Sequence, residues 1–379
     1  MNLDSLLRAE LDALESVHLR RTLRAVDELP PGLLNFAAND YLGLSHHPAL
    51  IEAAREATAR QGTGAGASRL VTGTDSAVLA LEQELAAWKE KEAALVFSSG
   101  YAAALGTIPT LIGKGDTVIL DKLAHASLID AARLSGATVR TFPHNDMGRL
   151  EALLKKVGSD QTRTLVVTES IFSMDGDAAP LRELVELKER HGAWLMVDEA
   201  HATGLYGPTG AGLIAEAGLS PRVEIVMGTL SKALGSVGGY IAGSKELVDW
   251  LVNRARSFIY STALPPGAIA ASRAAVQVTR GPEGVTLRDR LRQNIARFQA
   301  GLPATWKAQA LPASAIQPLI CGEASAALQL AASLREKGFF IPAIRYPTVP
   351  RNAARLRVTL SAAHADKDID ALNTALATR

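Results

Sequence analysis

Short apolar, β-branched runs alternate with longer segments of helical periodicity between residues 36 and 265. The runs are, in order, TVIL (117–120), TVRTF (138–142), TLVVTES (164–170), WLMVDEA (194–200), EIVMGT (224–229) and GGYIAG (238–243). Amphipathic segments lie between them: ASLIDAARLS, GRLEALLKKV and LRELVELKERHG, the last closed by Gly192 at a helix C-cap position. This alternation predicts an α/β protein with a mostly parallel sheet flanked by helices.

The pattern changes after the Pro/Gly stretches at 265–267 and 281–282, where it becomes helix, strand IQPLIC, helix, loop, strand RLRVTL and helix. A chain of 379 residues, 47% of them hydrophobic, is long for one compact unit. We therefore predict an N-terminal helical segment over 1–35, stopped by the prolines at 30–31, a large α/β domain over 36–275, and a smaller C-terminal α+β domain over 276–379.

Charge and cysteine content restrict the partners and the compartment. Forty basic and 39 acidic residues leave a net charge of +1. The chain therefore lacks the dense positive field that attracts nucleic acids and anionic lipids. The longest nearly uncharged apolar stretch, about 101–113, is shorter than the roughly 20 residues that span a bilayer. The acidic N-terminus does not resemble a secretory signal, and the single Cys321 cannot form an internal disulfide. We therefore expect a cytoplasmic protein with neither nucleic-acid nor membrane partners.

Polar side chains follow several of the predicted strands. Ligands of an open α/β sheet bind at the carboxyl ends of its strands, so these side chains are the candidate site. They are Asp198-Glu199-Ala200-His201, Thr229-Leu230-Ser231-Lys232, His125 and Ser173. An acid, imidazoles, an amine and hydroxyls are thus predicted to meet at one edge.

Lys232 lies in a loop of small residues between two predicted strands. Burial there would lower its pKa and make the neutral, nucleophilic amine available to a carbonyl cofactor. Asp198 suits the ring nitrogen of pyridoxal 5'-phosphate (PLP), because only a protonated ring is a strong electron sink, and His201 could reach the phenolic oxygen of that ring. A surface lysine and a helix-capping aspartate are the alternative interpretations.

Three further groups suit the same cofactor. The segment Ser98-Ser99-Gly100-Tyr101 precedes a predicted helix, whose N-terminal N–H groups and dipole favour a phosphate, although this is also a common helix cap. His125 could stack on a ring or merely cap a helix. Arg357 could hold a substrate carboxylate. Period 2 puts Arg355 on the same strand face, and an exposed strand arginine is the alternative interpretation for one of the two.

Two nucleotide-binding interpretations fail on context. DEAH at 198–201 resembles an ATPase box, but no GxxxxGK[ST] loop accompanies it. The stretch at 62–67 satisfies a relaxed GxGxxA pattern, but it follows a helix rather than a strand. The remaining histidines lack metal-binding spacings, so no metal site is expected.

In combination, these motifs are specific to one family. The chain resembles the α-oxoamine synthases, which are fold-type I PLP enzymes, over essentially its whole length. The resemblance rests on segments in the family's order: NDYLGLSHHP (39–48), HASL (125–128), ESIFSMDGDAAPL (169–181), VDEAHATG (197–204), TLSKALG (229–235), YSTALPP (260–266) and RLRVTLSAAH (355–364). HND (144–146), SAIQPLI (314–320) and AIRYPTVP (343–350) are most like the branch that condenses L-alanine with a pimeloyl thioester.

The resemblance implies a role for each ring-contacting residue. Lys232 would hold the cofactor covalently, Asp198 would partner the ring nitrogen and His201 the phenolic oxygen. His125 would stack over the ring. Ser173 would contact the phenolic oxygen or the acyl group.

The resemblance also implies the phosphate contacts and the assembly. Gly100, Tyr101 and Thr229 would hold the phosphate. The family is homodimeric with sites at the interface, so the loop 62–73 and Thr262 would contribute from the partner chain.

The implied reaction joins an amino acid to an acyl thioester with loss of CO2. Arg357 would hold the amino-acid carboxylate, and Arg20 or Arg21 would line the entrance for the acyl substrate. Glycine C-acetyltransferase, another α-oxoamine synthase, an aminotransferase and a non-catalytic binding module are the alternatives.

Overall fold

The computed structural model describes residues 2–23, 25, 32–157, 162–309 and 311–377. These residues form two compact units. The large unit comprises Asn39–Ser173 and Asp177–Arg290. The small unit comprises the chain up to Ala38, the short segment Met174–Gly176, and the chain from Leu291 onward.

The strands are, in chain order, β1 (Leu34–Asn35), β2 (Ala93–Phe97), β3 (Thr117–Asp121), β4 (Thr138–Phe142), β5 (Thr164–Glu169), β6 (Trp194–Asp198), β7 (Ile225–Thr229), β8 (Gly239–Gly243), β9 (Ile316–Gly322), β10 (Phe339–Phe340), β11 (Ala343–Ile344) and β12 (Ala354–Thr359). The helices are α1 (Leu3–Ser16), α2 (Pro48–Gln61), α3 (Ser76–Trp88), α4 (Gly100–Leu111), α5 (Ala126–Leu134), α6 (Met147–Val157), α7 (Leu181–Arg190), α8 (Leu213–Glu216), α9 (Lys245–Arg254), α10 (Arg256–Ile259), α11 (Pro266–Arg280), α12 (Pro282–Gly301), α13 (Ala304–Lys307), α14 (Ala324–Glu336) and α15 (Asp366–Ala377).

The large unit contains a twisted sheet in the order β2-β8-β7-β6-β5-β3-β4. Strands β4, β3, β5, β6 and β7 run parallel to one another, and β8 is antiparallel to both of its neighbours. The predicted fold class is therefore confirmed. All of the predicted strand runs are strands here, with ends that differ from the prediction by one or two residues.

The apolar strand runs are explained by burial on both faces of the sheet. Every residue of β3 and of β7 is buried, which is typical of strands covered by helices. A core cluster joins strand residues such as Ile241 to helix residues such as Ile108, Leu128 and Leu251, so α4, α5 and α9 cover one face. Helix α7 ends as predicted near Gly192, whose φ of +64° suits the left-handed residue after a helix.

The small unit is built on the antiparallel sheet β11-β12-β9. Helix α14 packs on this sheet. Strand β1, from the N-terminal part of the chain, pairs with β10 in parallel.

The contacts divide the chain differently from the predicted boundaries at 35 and 275. Helix α11 packs against α2 of the large unit, so the large unit continues to Arg290. The pairing of β1 with β10 assigns the N-terminal segment to the small unit. Helix α1 already ends at Ser16, and the predicted proline stop at 30–31 lies outside the described residues.

Two kinds of feature are absent from the described residues. No helix among them is long and apolar enough to cross a membrane. Within the same part of the chain, no cluster of three or more His, Cys, Asp or Glu side chains has the arrangement of a metal site.

Candidate active site

The carboxyl ends of β5, β6 and β7 lie side by side because these strands are parallel neighbours. Asp198, the last residue of β6, is in register with Glu169 at the end of β5 and with Met227 of β7. Lys232 follows β7 in the loop that leads to β8. The sheet thus brings the predicted acid and the predicted lysine to the same edge.

Lys232 and His201 are in direct contact. The Lys232 Nζ lies 2.8 Å from His201 Nε2, and His201 Nδ1 lies 2.6 Å from the hydroxyl of Tyr41. The Tyr41 hydroxyl also lies 3.1 Å from Asn39 Oδ1. Tyr41 and His201 are buried, so this chain of contacts fixes the imidazole that meets the lysine.

Asp198 is a buried carboxylate under two opposing influences. Burial raises its pKa, while the positive charge of Lys232 and a hydrogen bond from the Ala200 backbone N–H, 2.8 Å from Oδ1, lower it. The net direction is upward. A cationic ring nitrogen beside this carboxylate would reverse that shift, because an opposite charge favours the ionised acid.

His125 is the N-cap of α5, as one of the two predicted alternatives requires. Its Nδ1 accepts from the Ser127 N–H at 3.2 Å and lies 2.8 Å from the Ser127 hydroxyl. The residue is exposed to solvent. Desolvation of the ring still lowers the pKa of His125, while the charge of Asp198 raises it and the charge of Lys232 lowers it. These influences put His125 within electrostatic range of the Asp198 and Lys232 charges.

Ser173 is buried, and its backbone N–H donates to Glu169 Oε2 at 3.2 Å. The pKa of Glu169 is raised well above its usual range, first by burial and then by the charge of Asp198. The charge of Lys232 and the backbone N–H groups of Ser173 and His125 oppose that rise.

Sequence reasoning missed two residues of this group, Glu169 and Tyr41. Both lie inside motifs that were read for other residues, ESIFSMDGD and NDYLGL. The available signal for Glu169 was its position at a strand end, which is the criterion that selected Asp198. Tyr41 lies far from any predicted strand end, and only tertiary structure brings it to His201.

The predicted phosphate-binding groups gather at the start of α4. Gly100 is the first residue of this helix, and Ser99 caps it by accepting from the Ala102 N–H at 3.0 Å. The first N–H groups of a helix have no acceptor within it. A Cβ atom on Gly239 would come 2.5 Å from the Gly100 nitrogen, so the start of β8 closely approaches this turn.

Thr229 lies beside the same turn, whereas the ring of Tyr101 is directed elsewhere. The Thr229 hydroxyl lies 2.6 Å from the Ser231 hydroxyl and donates to Gly238 O at 2.9 Å. A Cβ on Gly100 would lie 3.9 Å from the Thr229 Cβ. The Tyr101 hydroxyl donates to Asp130 Oδ2 at 2.6 Å, so only its backbone remains a candidate at the helix start.

Thr262 and the glycine-rich loop form a different part of the large unit. Thr262 bridges to Ser68, and the Ala263 N–H donates to Ala67 O at 3.0 Å, which fastens the two segments together. They line a cavity of about 290 Å³ with Ser98 and Phe97. Among the described residues that line this cavity, neither Lys232 nor His201 is found.

The predicted arginines lie in the small unit. Arg357 is buried on β12, and its Nη1 donates to Thr359 Oγ1 at 3.0 Å. The alternative that one of the two arginines is exposed is wrong, because Arg355 is also buried and donates to Asp175 Oδ1 at 2.6 Å. Period 2 does place both arginines on one strand face, and the ion pair with Asp175 explains the burial of Arg355.

A second cavity, of about 600 Å³, contains both N-terminal arginines. Arg20 and Arg21 line it with Arg335 and Arg345, and among the described lining residues Glu15 is the one acid. Arg21 donates to Thr348 Oγ1 at 3.0 Å, and Arg20 lies 3.8 Å from Glu15. Burial and then the charge of Arg21 lower the pKa of Arg345. The cavity therefore has a strongly positive lining.

The large-unit residues fit PLP. A carboxylate, an amine in contact with an imidazole, and a second imidazole converge at one edge, near a helix N-terminus that suits a phosphate. Glu169 Oε1 is buried without a hydrogen-bond partner in the described part of the chain. One oxygen atom of this group of residues therefore lacks the hydrogen bond that buried polar atoms normally make.

Comparisons with known proteins match the chain over nearly its full length. The family model for aminotransferase class I and II matches residues 31–376. An 8-amino-7-oxononanoate synthase of Herminiimonas arsenicoxydans is 47% identical over 98% of this chain and 98% of its own length. A synthase of the same name from Geobacter metallireducens is 47% identical over 95% of this chain and 94% of its own length.

Solved structures agree with this assignment. A PLP-bound serine palmitoyltransferase of S. paucimobilis superposes with a TM-score of 0.91 at 29% identity, covering 99% of this chain and 98% of its own. The 8-amino-7-oxononanoate synthase of Francisella tularensis superposes with a TM-score of 0.77 at 29% identity, over 91% of this chain and 97% of its own.

Proposed function

Because the chain belongs to the aminotransferase class I and II family and, within it, to the PLP-dependent α-oxoamine synthases, we propose that it condenses L-alanine with a pimeloyl thioester. The products are 8-amino-7-oxononanoate, CO2 and the free thiol carrier, either CoA or a carrier protein, in biotin synthesis. Names of relatives at 47% identity support this step. The single cysteine of this chain supports a reducing, cytoplasmic site of action.

The observation that carries the proposal is the contact between Lys232 and His201 beside Asp198. When bound, PLP would supply an electron sink for the negative charge that develops at the substrate Cα twice, on proton removal and on loss of CO2. Asp198 keeps the proton on the ring nitrogen, which maintains that sink. Lys232 would hold the cofactor, and its amine, when free, would take the proton from the substrate Cα.

The remaining residues of the large unit orient these groups. His201, fixed by Tyr41, directs the Lys232 amine and the phenolic oxygen. His125 covers one ring face, and Ser173 contacts the phenolic oxygen or the incoming acyl carbonyl. Thr229 and the backbone N–H groups of Gly100 and Tyr101 bind the phosphate at the start of α4.

Two arginine groups of the small unit bind the substrates. Arg357 holds the amino-acid carboxylate, a role that the pairing of Arg355 with Asp175 leaves to it. Arg20 and Arg21 receive the acyl substrate. The positive lining of their cavity supports a substrate with an anionic end, such as the free carboxylate of a pimeloyl group.

The substrate assignment is tested by thiol release across matched pairs. We expect L-alanine with pimeloyl-CoA to be turned over in preference to glycine with acetyl-, succinyl- or long-chain acyl-CoA. Heptanoyl-CoA is the matched control, because it has the same chain length and lacks the distal carboxylate. Losing one charge-assisted contact of about 1.5–3 kcal/mol should lower kcat/KM for heptanoyl-CoA roughly 10- to 100-fold.

Arg20→Ala and Arg21→Ala locate the distal carboxylate. We expect the variant that lacks the arginine binding this carboxylate to lose the preference for pimeloyl-CoA over heptanoyl-CoA. The same variant should retain the basal rate with heptanoyl-CoA. A clear preference of the wild type for glycine with acetyl-CoA would instead assign the chain to the glycine C-acetyltransferase branch.

We also propose that the active unit is a homodimer whose sites are shared. The loop 62–73 and Thr262 carry cofactor-type residues, yet they are fastened to each other rather than to the Lys232 group. Leu70, Val71 and Tyr260 beside them expose 53%, 73% and 71% of their surfaces, which supports an interface here.

Complementation between inactive chains tests the sharing of sites. Lys232→Ala removes the lysine of a chain's own site, and Thr262→Arg blocks the segment given to the partner. Random re-pairing makes half of the dimers mixed, each with one intact site, so roughly a quarter of wild-type activity is expected. Differently tagged Lys232→Ala chains, re-paired in the same way, are the control and should stay inactive. Inactive mixed dimers, once purified through both tags, would place all of the chemistry within one chain.

A further inference from the structure

The HND motif at 144–146 lies in the loop between β4 and α6, away from the residues assigned above. The His144 ring is held at both nitrogens by carboxylates. Its Nδ1 lies 3.1 Å from Asp121 Oδ1 and its Nε2 lies 2.7 Å from Asp177 Oδ2. Asn145 reinforces both contacts: its backbone N–H donates to Asp121 Oδ2 at 2.9 Å, and its side-chain amide donates to Asp177 Oδ2 at 3.2 Å.

The two carboxylates belong to the segments that carry His125 and Ser173. Asp121 ends β3, and its Oδ1 also accepts from the Leu123 N–H at 2.8 Å, two residues before His125. Asp177 accepts at its backbone oxygen from the Phe172 N–H at 3.0 Å, beside Ser173. The Phe172 ring meets the His144 ring edge-on, with centroids 4.3 Å apart.

The electrostatics favour an imidazolium at this position. Burial alone would lower the pKa of His144, but the hydrogen bonds and negative charges of Asp121 and Asp177 outweigh it and raise the pKa to about 10. A cation also accounts for Asp121, since a carboxylate that is 1% exposed needs a partner of opposite charge.

We propose that His144 is a positioning residue that holds the segments carrying His125 and Ser173 at a fixed separation. Glu169 ties the same two segments from the inside, through backbone N–H groups of Ser173 and His125. His144 supplies the outer tie and touches neither substrate nor cofactor. The inference rests on the proposed function for the roles of His125 and Ser173, while the tie itself is a property of the chain.

A double-mutant cycle over His144→Gln, Asp177→Asn and the double variant tests the coupling. Loss of either end should displace the catalytic groups and lower kcat for Cα deuterium exchange of alanine by roughly 10- to 100-fold. The KM for alanine should change by less than about three-fold, because ground-state binding is untouched. The double variant should be no slower than the slower single one, since both remove one tie.

His46→Gln is the matched control, since it makes the same change at an exposed histidine and should leave kcat unchanged. Additive losses in the cycle, or a loss confined to KM, would overturn the positioning role. Cα exchange needs no thioester, so this result stands apart from the choice of acyl substrate.

Histidine NMR of the full-length holoenzyme provides a readout that does not use turnover. With ¹³Cε1-labelled histidine, one of the eight histidine signals should keep its imidazolium shift up to about pH 9 and disappear in His144→Gln. In Asp177→Asn its midpoint should fall, because one carboxylate is lost. A His144 signal that titrates near the ordinary value of about 6.5 would overturn the two-ended ion pair.

The same ion pairs predict how stability depends on pH. A pKa raised from about 6.5 to about 10 contributes stability that is complete below the lower value and lost as pH rises through the upper one. The Tm advantage of the wild type over His144→Gln should therefore shrink between pH 7 and about 10.5. An advantage that stays constant over that range would contradict a charged His144.

Discussion

Lys232→Ala is expected to abolish turnover and the visible absorption of the lysine-bound cofactor. Alanine lacks the amine that, on the proposed mechanism, both holds PLP and takes the proton from the substrate Cα. By analogy with the removal of other enzymatic nucleophiles, the loss in kcat should exceed roughly 10³-fold. His201, whose Nε2 lies 2.8 Å from Nζ in the wild type, cannot replace the covalent link, because an imidazole has no primary amine to form a Schiff base.

Reduction with borohydride followed by peptide mass spectrometry measures the covalent link directly. The cofactor mass should appear on the peptide that contains Lys232 in the wild type and be missing from the variant. Lys114→Ala, at an exposed loop position, is the matched control and should retain both activity and label. A Lys232→Ala protein that turns over at the wild-type rate would show that the nucleophile has been assigned wrongly.

Asp198→Asn should retain PLP but remove the Cα proton roughly 10²- to 10³-fold more slowly. The amide matches the carboxylate in shape, and its oxygen can still accept from the Ala200 N–H. It carries no charge, however, and a neutral partner cannot hold the ring nitrogen protonated against the nearby Lys232 charge.

Deuterium exchange at the Cα of alanine isolates that step, since it requires neither thioester nor decarboxylation. The variant should exchange slowly while its PLP content, measured after release from the protein, stays near one per chain. Glu216→Gln, which makes the same chemical change at an exposed acid, is the control. Exchange at the wild-type rate in Asp198→Asn would remove Asp198 from the mechanism.

The sequence predicted the large-unit sheet well because burial on both faces demands apolar, β-branched runs. Strands such as β3 and β7 can be read from such runs directly. The convergence of Asp198, Lys232 and Thr229 followed from one further rule, that parallel strands end at the same edge. The structure brings these three residues to that edge.

What could not be predicted depends on contacts distant in sequence. The partner of His201 is Tyr41, 160 positions away, and the partner of Arg355 is Asp175, 180 positions away. Residue types and local periodicity do not encode such pairs, which explains why an exposed arginine remained the alternative for Arg355 or Arg357. The contacts divide the chain differently from the predicted boundary at 275 for a related reason: proline and glycine mark the ends of α11, but its packing against α2 decides which unit it joins.

The pairing of β1 with β10 can form only late in the synthesis of the chain. Leu34 leaves the ribosome about 300 residues before its partner Phe339, a delay on the order of 15–60 s at roughly 5–20 residues per second. The chain of the large unit is complete once Arg290 has been synthesised, so this unit can collapse first. During that interval the N-terminal segment has no β-sheet partner. It is then the part of the nascent chain most accessible to chaperones and proteases.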